Sequence, residues 1–294
     1  MSRVRVDVAR VRKNIAAFHS RAAVPVRAHV KGHRTVEIAR MQQEAGACGI
    51  AVTRPQLARP FVAAGFEDIV AAWPWRDPSV LDRFAGLAAD CRLSVHVDDV
   101  ETVEILSRAA RRHGVRVGVR VQVDRTTDVE AIARAVESTR ELTLDGVVGY
   151  QALLSAEDAL DRSASAREQA QHLVESADRL RSGGLPCPVV AFGGTPSVDA
   201  LVPGITELGA GAYPLGDAGL VALGLHELDD IAVTVDPADA ELMADCGQPW
   251  HPQPWVGRGD ELVPSHICPL VLRVPLLHTS TGESWPVLGR EDLQ

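Results

Sequence analysis

Short apolar runs with the composition of β-strands alternate with helical patterns, and this alternation constrains the fold more than any other feature. An opening strand is predicted at 4–8 and a helix at 9–21. Eight further strands are predicted at 24–29, 49–52, 68–71, 93–97, 116–121, 143–147, 188–192 and 206–208. Because parallel neighbours need a crossover between them, eight strands separated by helices predict an α/β fold, a (β/α)8 TIM barrel.

Helical patterns fill the gaps between these strands, and several end where a glycine follows the last apolar turn. They are predicted at 35–45, 55–64, 77–89, 100–113, 128–138, 166–181 and 198–202. A doubly wound open sheet is the alternative, but it predicts a G-x-G-x-x-G turn after its first strand. The strand at 24–29 runs instead into Lys31-Gly32-His33-Arg34, which favours the barrel.

The pattern changes at about residue 225, where strand-like runs with prolines and tryptophans replace the helical period. Strands are predicted there at 231–235, 260–264, 270–274 and 285–288, and a loop at 245–255. We therefore predict a barrel domain over 9–224 and a small C-terminal β domain over 225–294, which the opening segment 1–8 joins.

Charge and cysteine content exclude several classes of protein. With 39 acidic against 30 basic residues, a net charge of −9 and no long basic cluster, nucleic acid is not an expected partner. Residues 1–7 carry charges where a signal peptide is apolar, and no apolar run approaches membrane-spanning length, so we expect a cytoplasmic protein without a membrane partner. The five cysteines form no CxxC pair, which favours free thiols.

Lysine is almost absent, since only Lys13 and Lys31 occur. Arginine replaces most surface lysines but not a lysine whose amine must lose its proton to act as a nucleophile. The two lysines are therefore candidates for covalent chemistry, with composition bias as the alternative explanation. Lys31 follows the first barrel strand, at the end of the barrel where active sites form.

Two glycine-rich loops follow the last two barrel strands, a position that commonly holds phosphate groups. The first loop consists of Gly193, Gly194, Thr195, Pro196 and Ser197. Its glycines allow close backbone approach, its hydroxyls are donors, and the helix predicted at 198–202 would direct amides at a ligand. Tyr213 in the second loop is a candidate phenolic donor. The alternative is a turn whose hydroxyls only cap a helix.

A lone lysine at the barrel mouth opposite a phosphate loop indicates pyridoxal phosphate held as a Schiff base. The amine must reach the aldehyde while the phosphate is anchored across the site. A Schiff-base aldolase acting on a phosphosugar would use the same two features. Such an aldolase usually carries its lysine on a later strand, so the position of Lys31 favours pyridoxal phosphate.

A second group of candidate residues lies in segment 264–269, which contains His266 and Cys268. If the segment is extended, residues two apart point to the same face, so the imidazole and the thiol converge on one ion. Nitrogen and sulfur ligands suit zinc better than magnesium or manganese. The segment predicts a site for zinc or another divalent metal, and a buried cysteine beside a structural histidine is the alternative.

These motifs together resemble the D-threonine aldolase and D-serine dehydratase family, fold-type III pyridoxal phosphate enzymes related to alanine racemase. The resemblance spans nearly the whole chain. His29-Val30-Lys31-Gly32-His33-Arg34 is similar to the family's P-H-x-K-T-H-K, and residues 193–197 are similar to its phosphate loop. Gly211, Tyr213 and Asp217 are similar to its G-x-Y-x-x-x-D, and residues 264–269 to its metal motif.

The resemblance implies that Lys31 is the catalytic Schiff-base lysine. The cofactor-binding residues that it implies are Lys31, His29, Arg125, Tyr150, Gly193, Gly194, Thr195, Ser197, Gly211 and Tyr213. His266 and Cys268 are the implied metal ligands. The resemblance further implies a barrel site completed by the second domain, in a homodimer where the two domains of different subunits meet.

The His-x-Cys pair resembles that of the zinc-dependent dehydratases, whereas the aldolases usually carry His-x-Asp. The resemblance therefore implies a lyase that eliminates the β-hydroxyl group of a D-3-hydroxy amino acid. Retro-aldol cleavage of the same substrate class and a non-catalytic pyridoxal phosphate carrier are the alternatives. Racemisation is disfavoured because it needs a base on each face of Cα. The only tyrosines are Tyr150 and Tyr213, and Tyr213 is already assigned to the phosphate.

Three family motifs differ in this chain. The Y-x-G-H stretch is replaced by residues 150–154, which lack the Gly-His, and the D-x-G-x-x-R segment is shortened to Asp124-Arg125-Thr126. The acidic-acidic-His-Gly motif of the second domain is absent. These differences concern substrate recognition more than cofactor anchoring, so they leave the reaction type open.

Overall fold

A computed structural model of the protein describes residues 4–151, 153 and 155–290. The first strand, β1 (Val4–Val6), belongs to a C-terminal sheet, and the next eight strands close into a parallel barrel in chain order. The barrel strands are β2 (Val26–His29), β3 (Ile50–Val52), β4 (Asp68–Ala71), β5 (Arg92–Val97), β6 (Val117–Gln122), β7 (Leu142–Tyr150), β8 (Val189–Gly193) and β9 (Glu207–Ala210). The TIM barrel predicted from the alternation is confirmed.

The barrel helices lie between successive strands, and most of them pack an apolar face against the barrel. They are α1 (Val8–Arg21), α2 (Val36–Glu44), α3 (Pro55–Ala63), α4 (Pro78–Leu87), α5 (Val100–His113), α6 (Val129–Glu137), α7 (Ala156–Leu160), α8 (Arg162–Ser182) and α9 (Ala218–Ala222). Side chains that precede the helices cap several of them; Asp99, for example, accepts a hydrogen bond from the Thr102 amide at the start of α5. Gly114 ends α5 in the left-handed conformation that glycine adopts without strain.

The helix predicted at 198–202 does not form. The chain makes a 3₁₀ turn (Thr195–Ser197) after β8 and then runs without regular structure to β9. Pro203 disfavours the helical conformation of the residue before it, and five residues are too few for a helix to be stable on their own.

The C-terminal part of the chain forms a six-stranded sheet in the order β11–β12–β10–β1–β13–β14. Its strands after β1 are β10 (Val233–Val235), β11 (Trp255–Arg258), β12 (Glu261–Pro264), β13 (Leu276–Thr279) and β14 (Ser284–Pro286). β1 lies between β10, which is antiparallel to it, and β13, which is parallel. The predicted C-terminal β domain is confirmed in class, and its boundary at residue 225 stays a prediction.

The strand predicted at 270–274 is wrong, because this segment belongs to helix α10 (Ile267–Arg273). The helix buries Ile267, Leu270 and Val271, which share one face at helical spacing. A short apolar run does not distinguish a buried strand from a buried helix by its period. Among the described residues, no helix combines the length and the apolar character needed to cross a bilayer.

The barrel interior contains an ionic cluster whose charged side chains come from four strands. Glu207 on β9 accepts hydrogen bonds from Arg27 on β2, at 2.9 Å for both Nε and Nη2, and from Arg120 on β6. Arg27 also pairs with Asp68. Burial opposes ionisation of Glu207, but the two guanidinium groups outweigh it and lower its pKa from 4.5 to about 2. The cluster therefore binds the strands that close the barrel.

We expect the ionised Glu207 to make stability acid-sensitive. Because its pKa is depressed on folding, its contribution is present above pH 4.5 and lost as the pH falls towards 2. The size of this contribution is on the order of 3 kcal/mol. Urea titrations between pH 2 and pH 7 should show this loss of stability. The Glu207→Gln variant should be less stable than wild type at pH 7, and its stability should not show the loss that Glu207 causes as the pH falls. An unchanged pH slope in the variant would contradict the prediction.

Candidate active site

Lys31 lies just beyond the carboxyl end of β2, where the chain leaves the barrel through a 3₁₀ turn (Val30–Gly32). We call this turn, with His33 after it, the lysine turn. The Lys31 side chain is exposed and lines two cavities at the barrel mouth. The fold therefore presents an amine to an enclosed space at the end of the barrel where the sequence predicts the site.

The two cavities adjoin and together form one site. The larger has a volume of about 320 Å³ and extends into the barrel to Arg120 and His96. The smaller has a volume of about 120 Å³ and extends to the C-terminal part of the chain. His29, Lys31 and Tyr150 line both, so the amine lies at their junction.

Two histidines in the larger cavity are neutral. Burial lowers the pKa of His29 to about 3, and the charge of Lys31 adds to the effect. Burial also lowers the pKa of His96 to about 3, with Arg120 as the strongest neighbouring charge. Both imidazoles are therefore uncharged beside Lys31 at neutral pH.

Arg125 is not brought to the site. Its side chain is 89% exposed and pairs with Glu168 on the surface. Asp124 accepts the amides of Thr126 and Thr127 in a tight turn that directs Arg125 to solvent. Arg27 and Arg120 line the larger cavity instead, and the buried Nε of Arg120 has no hydrogen-bond partner among the described residues.

The glycine loops after β8 and β9 form one wall of the smaller cavity. Gly194, Thr195 and Gly211 line it, and Gly193 lines the larger one. The Thr195 hydroxyl accepts hydrogen bonds from the amides of Gly211, at 3.3 Å, and Ala212, at 3.2 Å. These bonds join the two loops into a wall and occupy both amides, which leaves the Thr195 hydroxyl proton as a donor for an anionic group.

Two predicted phosphate donors point elsewhere. The Ser197 hydroxyl is buried and donates to the side-chain oxygen of Gln151 at 2.8 Å. The Tyr213 hydroxyl lies 2.8 Å from Gln42 Nε2 and 3.1 Å from His19 Nε2, and its fully buried ring lines neither cavity. Both hydroxyl groups thus stabilise the loops instead of facing the cavity. Tyr150 differs, since it is 65% exposed at the mouth of both cavities.

His266 and Cys268 both line the smaller cavity, although the segment is not extended as predicted. His266 precedes α10 and Cys268 lies in its first turn, so the thiol lies beside the imidazole. Asp217, which is buried, accepts from His266 Nδ1 and from the Ile267 amide, both at 3.2 Å. The His266 and Cys268 side chains meet because helix α10 begins between them, not because they alternate along a strand.

Charge in this group is tightly coupled. Burial would lower the pKa of His266, but Cys268 and Asp217 outweigh it and raise the pKa to about 10. Burial would raise the pKa of the Cys268 thiol, but His266 and Lys31 outweigh it and lower the pKa. The geometry therefore favours a thiolate at Cys268.

The donor chemistry of this pair fits zinc. Asp217 engages Nδ1 of His266, which leaves Nε2 as the available nitrogen beside the Cys268 sulfur. Across residues 4–151, 153 and 155–290, no group of three or more His, Cys, Asp or Glu side chains is arranged to hold a metal ion. An ion bound here would have two ligands from this pair and other positions open to water or substrate.

Sequence reasoning missed the site roles of Arg120 and Asp217 and of two residues in the loop predicted at 245–255. Gln248 and Trp250 line the smaller cavity beside His266. Gln248 Nε2 donates to the Ser265 carbonyl at 2.6 Å, and Trp250 Nε1 lies 3.5 Å from the Gly219 carbonyl. A proline-rich loop has no period from which these contacts could be predicted. Asp217 had two signals, since it is the aspartate of the segment similar to the family's G-x-Y-x-x-x-D and it precedes α9 as its N-cap.

Residues 6–213 match the family model described as alanine racemase, N-terminal domain. The chain belongs to this family. This match confirms the resemblance to the fold-type III pyridoxal phosphate enzymes that the sequence motifs indicate.

Several named proteins are similar in sequence. D-threo-3-hydroxyaspartate dehydratase of Delftia sp. (strain HT23) is 33% identical over 253 residues, covering 78% of this chain and 65% of that protein. D-threonine aldolase of Arthrobacter sp. is 30% identical over 72% of this chain and 60% of its own length. D-serine dehydratase of Dictyostelium discoideum is 26% identical over 81% and 70%, respectively. The chain thus spans less than two-thirds of the first two of these relatives.

Solved structures share the fold. The Delftia dehydratase has a TM-score of 0.83 at 24% identity, covering 98% of this chain and 97% of that chain. D-threonine aldolase from Filomicrobium marinum has a TM-score of 0.82 at 22% identity, covering 99% and 95%. At these sequence identities the similarity shows the fold alone, which here comprises both the barrel and the C-terminal sheet.

Gly32 should be essential for the contact between the lysine turn and the loop after β9. A Cβ at this position would lie 2.8 Å from the carbonyl oxygen of Gly211, a backbone atom that cannot turn aside. We expect Gly32→Ala to cost roughly 1–3 kcal/mol of unfolding free energy in urea titrations. Gly257→Ala is the matched control, because a Cβ there meets no described atom within 4 Å. Equal stability of the two variants would contradict this.

Proposed function

We propose that this chain is a pyridoxal phosphate-dependent lyase that eliminates the β-hydroxyl group of a D-3-hydroxy amino acid, as its dehydratase relatives are named to do. The observation that carries the proposal is the shared lining of the smaller cavity by Lys31, His266 and Cys268. It puts a nucleophilic amine and a zinc-type donor pair on one enclosed space. The family membership and the names of the relatives support it.

Pyridoxal phosphate, when bound, supplies an aldehyde that reacts with amines and a ring that withdraws electrons from Cα. The Lys31 amine would bind that aldehyde, and the Thr195 hydroxyl, which accepts from the amides after β9 and keeps its own proton, would donate to the phosphate. Arg120, with its free Nε, would face the ring from inside the barrel. Each of these groups belongs to a different strand end, so the barrel sets the distances between them.

Lys31 is also the proposed base. Once exchanged for the substrate amine, its Nζ would take the proton from Cα. The neutral His29 and His96 would not compete for this proton, since burial lowers the pKa of each to about 3. The Gln248 and Trp250 side chains would reduce the access of water to the smaller cavity from the C-terminal side.

We propose that His266 Nε2 and the Cys268 thiolate hold a zinc ion. Zinc there would act as a Lewis acid on the substrate hydroxyl group, which is otherwise a poor leaving group. Solved variants of the Delftia dehydratase replace a histidine and a cysteine two positions apart, and the cysteine variant is described as metal-free. The same spacing separates His266 and Cys268.

The second candidate function is retro-aldol cleavage between Cα and Cβ of the same substrate class. Two similar proteins are named 3-hydroxy-D-aspartate aldolase, of Paracoccus denitrificans (strain Pd 1222), and D-threonine aldolase, at 31% and 30% identity. The sulfur ligand favours elimination in our proposal, because aldolases of this family usually carry an oxygen ligand at that position. A carrier without turnover has no use for the His266 and Cys268 pair.

We further propose a homodimer located in the cytoplasm. Trp73 is 56% exposed and Tyr150 is 65% exposed, and both lie at the barrel mouth. A partner subunit that covers this mouth would bury both rings and exclude water from the site. The cytoplasmic location rests on the sequence expectation.

Reduction with borohydride should label one lysine. We expect pyridoxal phosphate to give the wild-type protein a visible absorbance band, and reduction to attach the cofactor to the peptide that contains Lys31. The Lys31→Ala variant should lose both signals, while Lys13→Ala keeps them, because Lys13 pairs with Asp230 on the surface. Peptide mass spectrometry checks the assignment. Labelling of Lys13 instead would refute the proposed role.

Products from D-threonine should separate the two candidate reactions. Elimination gives 2-oxobutanoate and ammonia, whereas retro-aldol cleavage gives acetaldehyde and glycine. We expect 2-oxobutanoate, and we expect a chelator, His266→Ala or Cys268→Ala to lower both turnover and bound zinc. Either variant should bind zinc at least about tenfold more weakly than wild type. Acetaldehyde as the product would favour the aldolase, and unchanged zinc content would exclude these ligands.

A further inference from the structure

A buried chain of hydrogen bonds joins the lysine turn to the loop after β9. We propose that His33, Gln42 and Tyr213 form a positioning chain that holds Lys31 in register with the phosphate wall, so that cofactor affinity depends on residues that do not touch the cofactor. The inference rests on the proposed function, because it requires pyridoxal phosphate to bind between the two loops. None of the three residues lines either cavity.

Every donor and acceptor in the chain is fixed by its neighbours. His33 Nδ1 accepts from the Thr35 amide at 3.2 Å, so the proton of the ring lies on Nε2, which donates to Gln42 Oε1 at 3.0 Å. Gln42 Nε2 then donates to the Tyr213 hydroxyl at 2.8 Å. The Tyr213 hydroxyl in turn donates to His19 Nε2 at 3.1 Å. The chain therefore has one direction and no spare partner.

Burial makes these bonds obligatory. His33, Gln42 and Tyr213 are each 0% exposed. Burial lowers the pKa of His33 to about 3 and raises that of Tyr213, so both stay neutral over the range where the protein functions. A buried donor or acceptor that loses its partner destabilises the fold, because no water is there to replace the lost hydrogen bond. The chain thus resists any movement of one loop relative to the other.

The residues at the two ends of the chain are next to the groups that would bind the cofactor. His33 is two residues after Lys31, and Tyr213 is two residues after Gly211, whose amide contacts Thr195. The lysine turn and this loop also touch directly, since a Cβ on Gly32 would lie 2.8 Å from the Gly211 carbonyl oxygen. That contact sets how closely the loops approach, and the polar chain prevents them from separating or sliding.

The ring of Tyr213 anchors the far end of the chain. It stacks on Phe18 of α1 with ring centroids 4.1 Å apart and an angle of 14°. Gln42 lies on α2, so the chain connects two barrel helices as well as two loops. Its position is therefore fixed by packing that does not depend on the cofactor, as a positioning role requires.

The test compares Gln42→Leu and Tyr213→Phe with wild type. Both remove the hydrogen bond between Gln42 and Tyr213 with little change in side-chain volume, and Tyr213→Phe keeps the ring that stacks on Phe18. We expect each to weaken pyridoxal phosphate binding roughly tenfold or more, measured as the Kd from absorbance titration of the apoprotein. The rise in Tm that saturating cofactor causes should shrink in both.

A control variant separates positioning from general stability. Ser94→Ala breaks a partly buried contact with Asp145 on the strands β5 and β7, away from the lysine turn and the loop after β9. This control should lower the Tm of the apoprotein and leave the Kd for pyridoxal phosphate within about twofold of wild type.

Each outcome decides one of the two claims. A wild-type protein that takes up no pyridoxal phosphate sinks the proposed function. If wild type binds and Tyr213→Phe binds equally well, the positioning chain is refuted and the proposed function stands. A Kd that rises in Ser94→Ala as much as in Gln42→Leu also refutes it, because the loss then follows stability alone.

Discussion

Pairing of β9 with β2 closes the barrel, and the site depends on the register of that pairing. Val26 lies opposite Leu208 and Ala28 opposite Ala210, so the lysine turn and the loop after β9 leave the barrel side by side. A Cβ at residue 209 would lie 2.5 Å from His29 Nε2, so only glycine leaves room for that ring. Closure thus brings the amine and the phosphate wall together before any ligand is considered.

The cost of this arrangement appears inside the barrel. Glu207 on the last strand draws Arg27 and Arg120 into the interior, where apolar side chains usually fill the space. The ionic cluster replaces part of the apolar core and leaves a cavity above it. The barrel therefore combines a polar interior, which is expensive to bury, with an open mouth that a cofactor can occupy.

The sequence predicts the barrel well because strands, helices and their stops are local signals. The positions of Lys31 and the glycine loops follow from the same signals, since both come where a strand ends. Arg125 and Tyr213 show the limit. Loop geometry turns the first to solvent, and a hydrogen bond to Gln42, distant in sequence, draws the second away from the cavity. Such long-range contacts leave no trace in local pattern.

The C-terminal part was harder to predict for the same reason. Residues 270–274 are apolar in a way that suits a strand or a helix, and only packing against the sheet decides between them. The strands β11 and β13 were not predicted, because they are short and only partly buried. His266 and Cys268 nevertheless converge, as expected, through a helix start and the Asp217 carboxylate.

The place of β1 in its sheet has a consequence for biosynthesis. Arg5 pairs with Thr234 on one side and His278 on the other, so β1 precedes the barrel in the chain while its neighbours follow the barrel. While the ribosome synthesises the barrel, this strand has no partner, and closing so long a loop is slow. The nascent chain would therefore assemble the half that bears the amine first and gain the wall with the thiol only after the barrel has been synthesised.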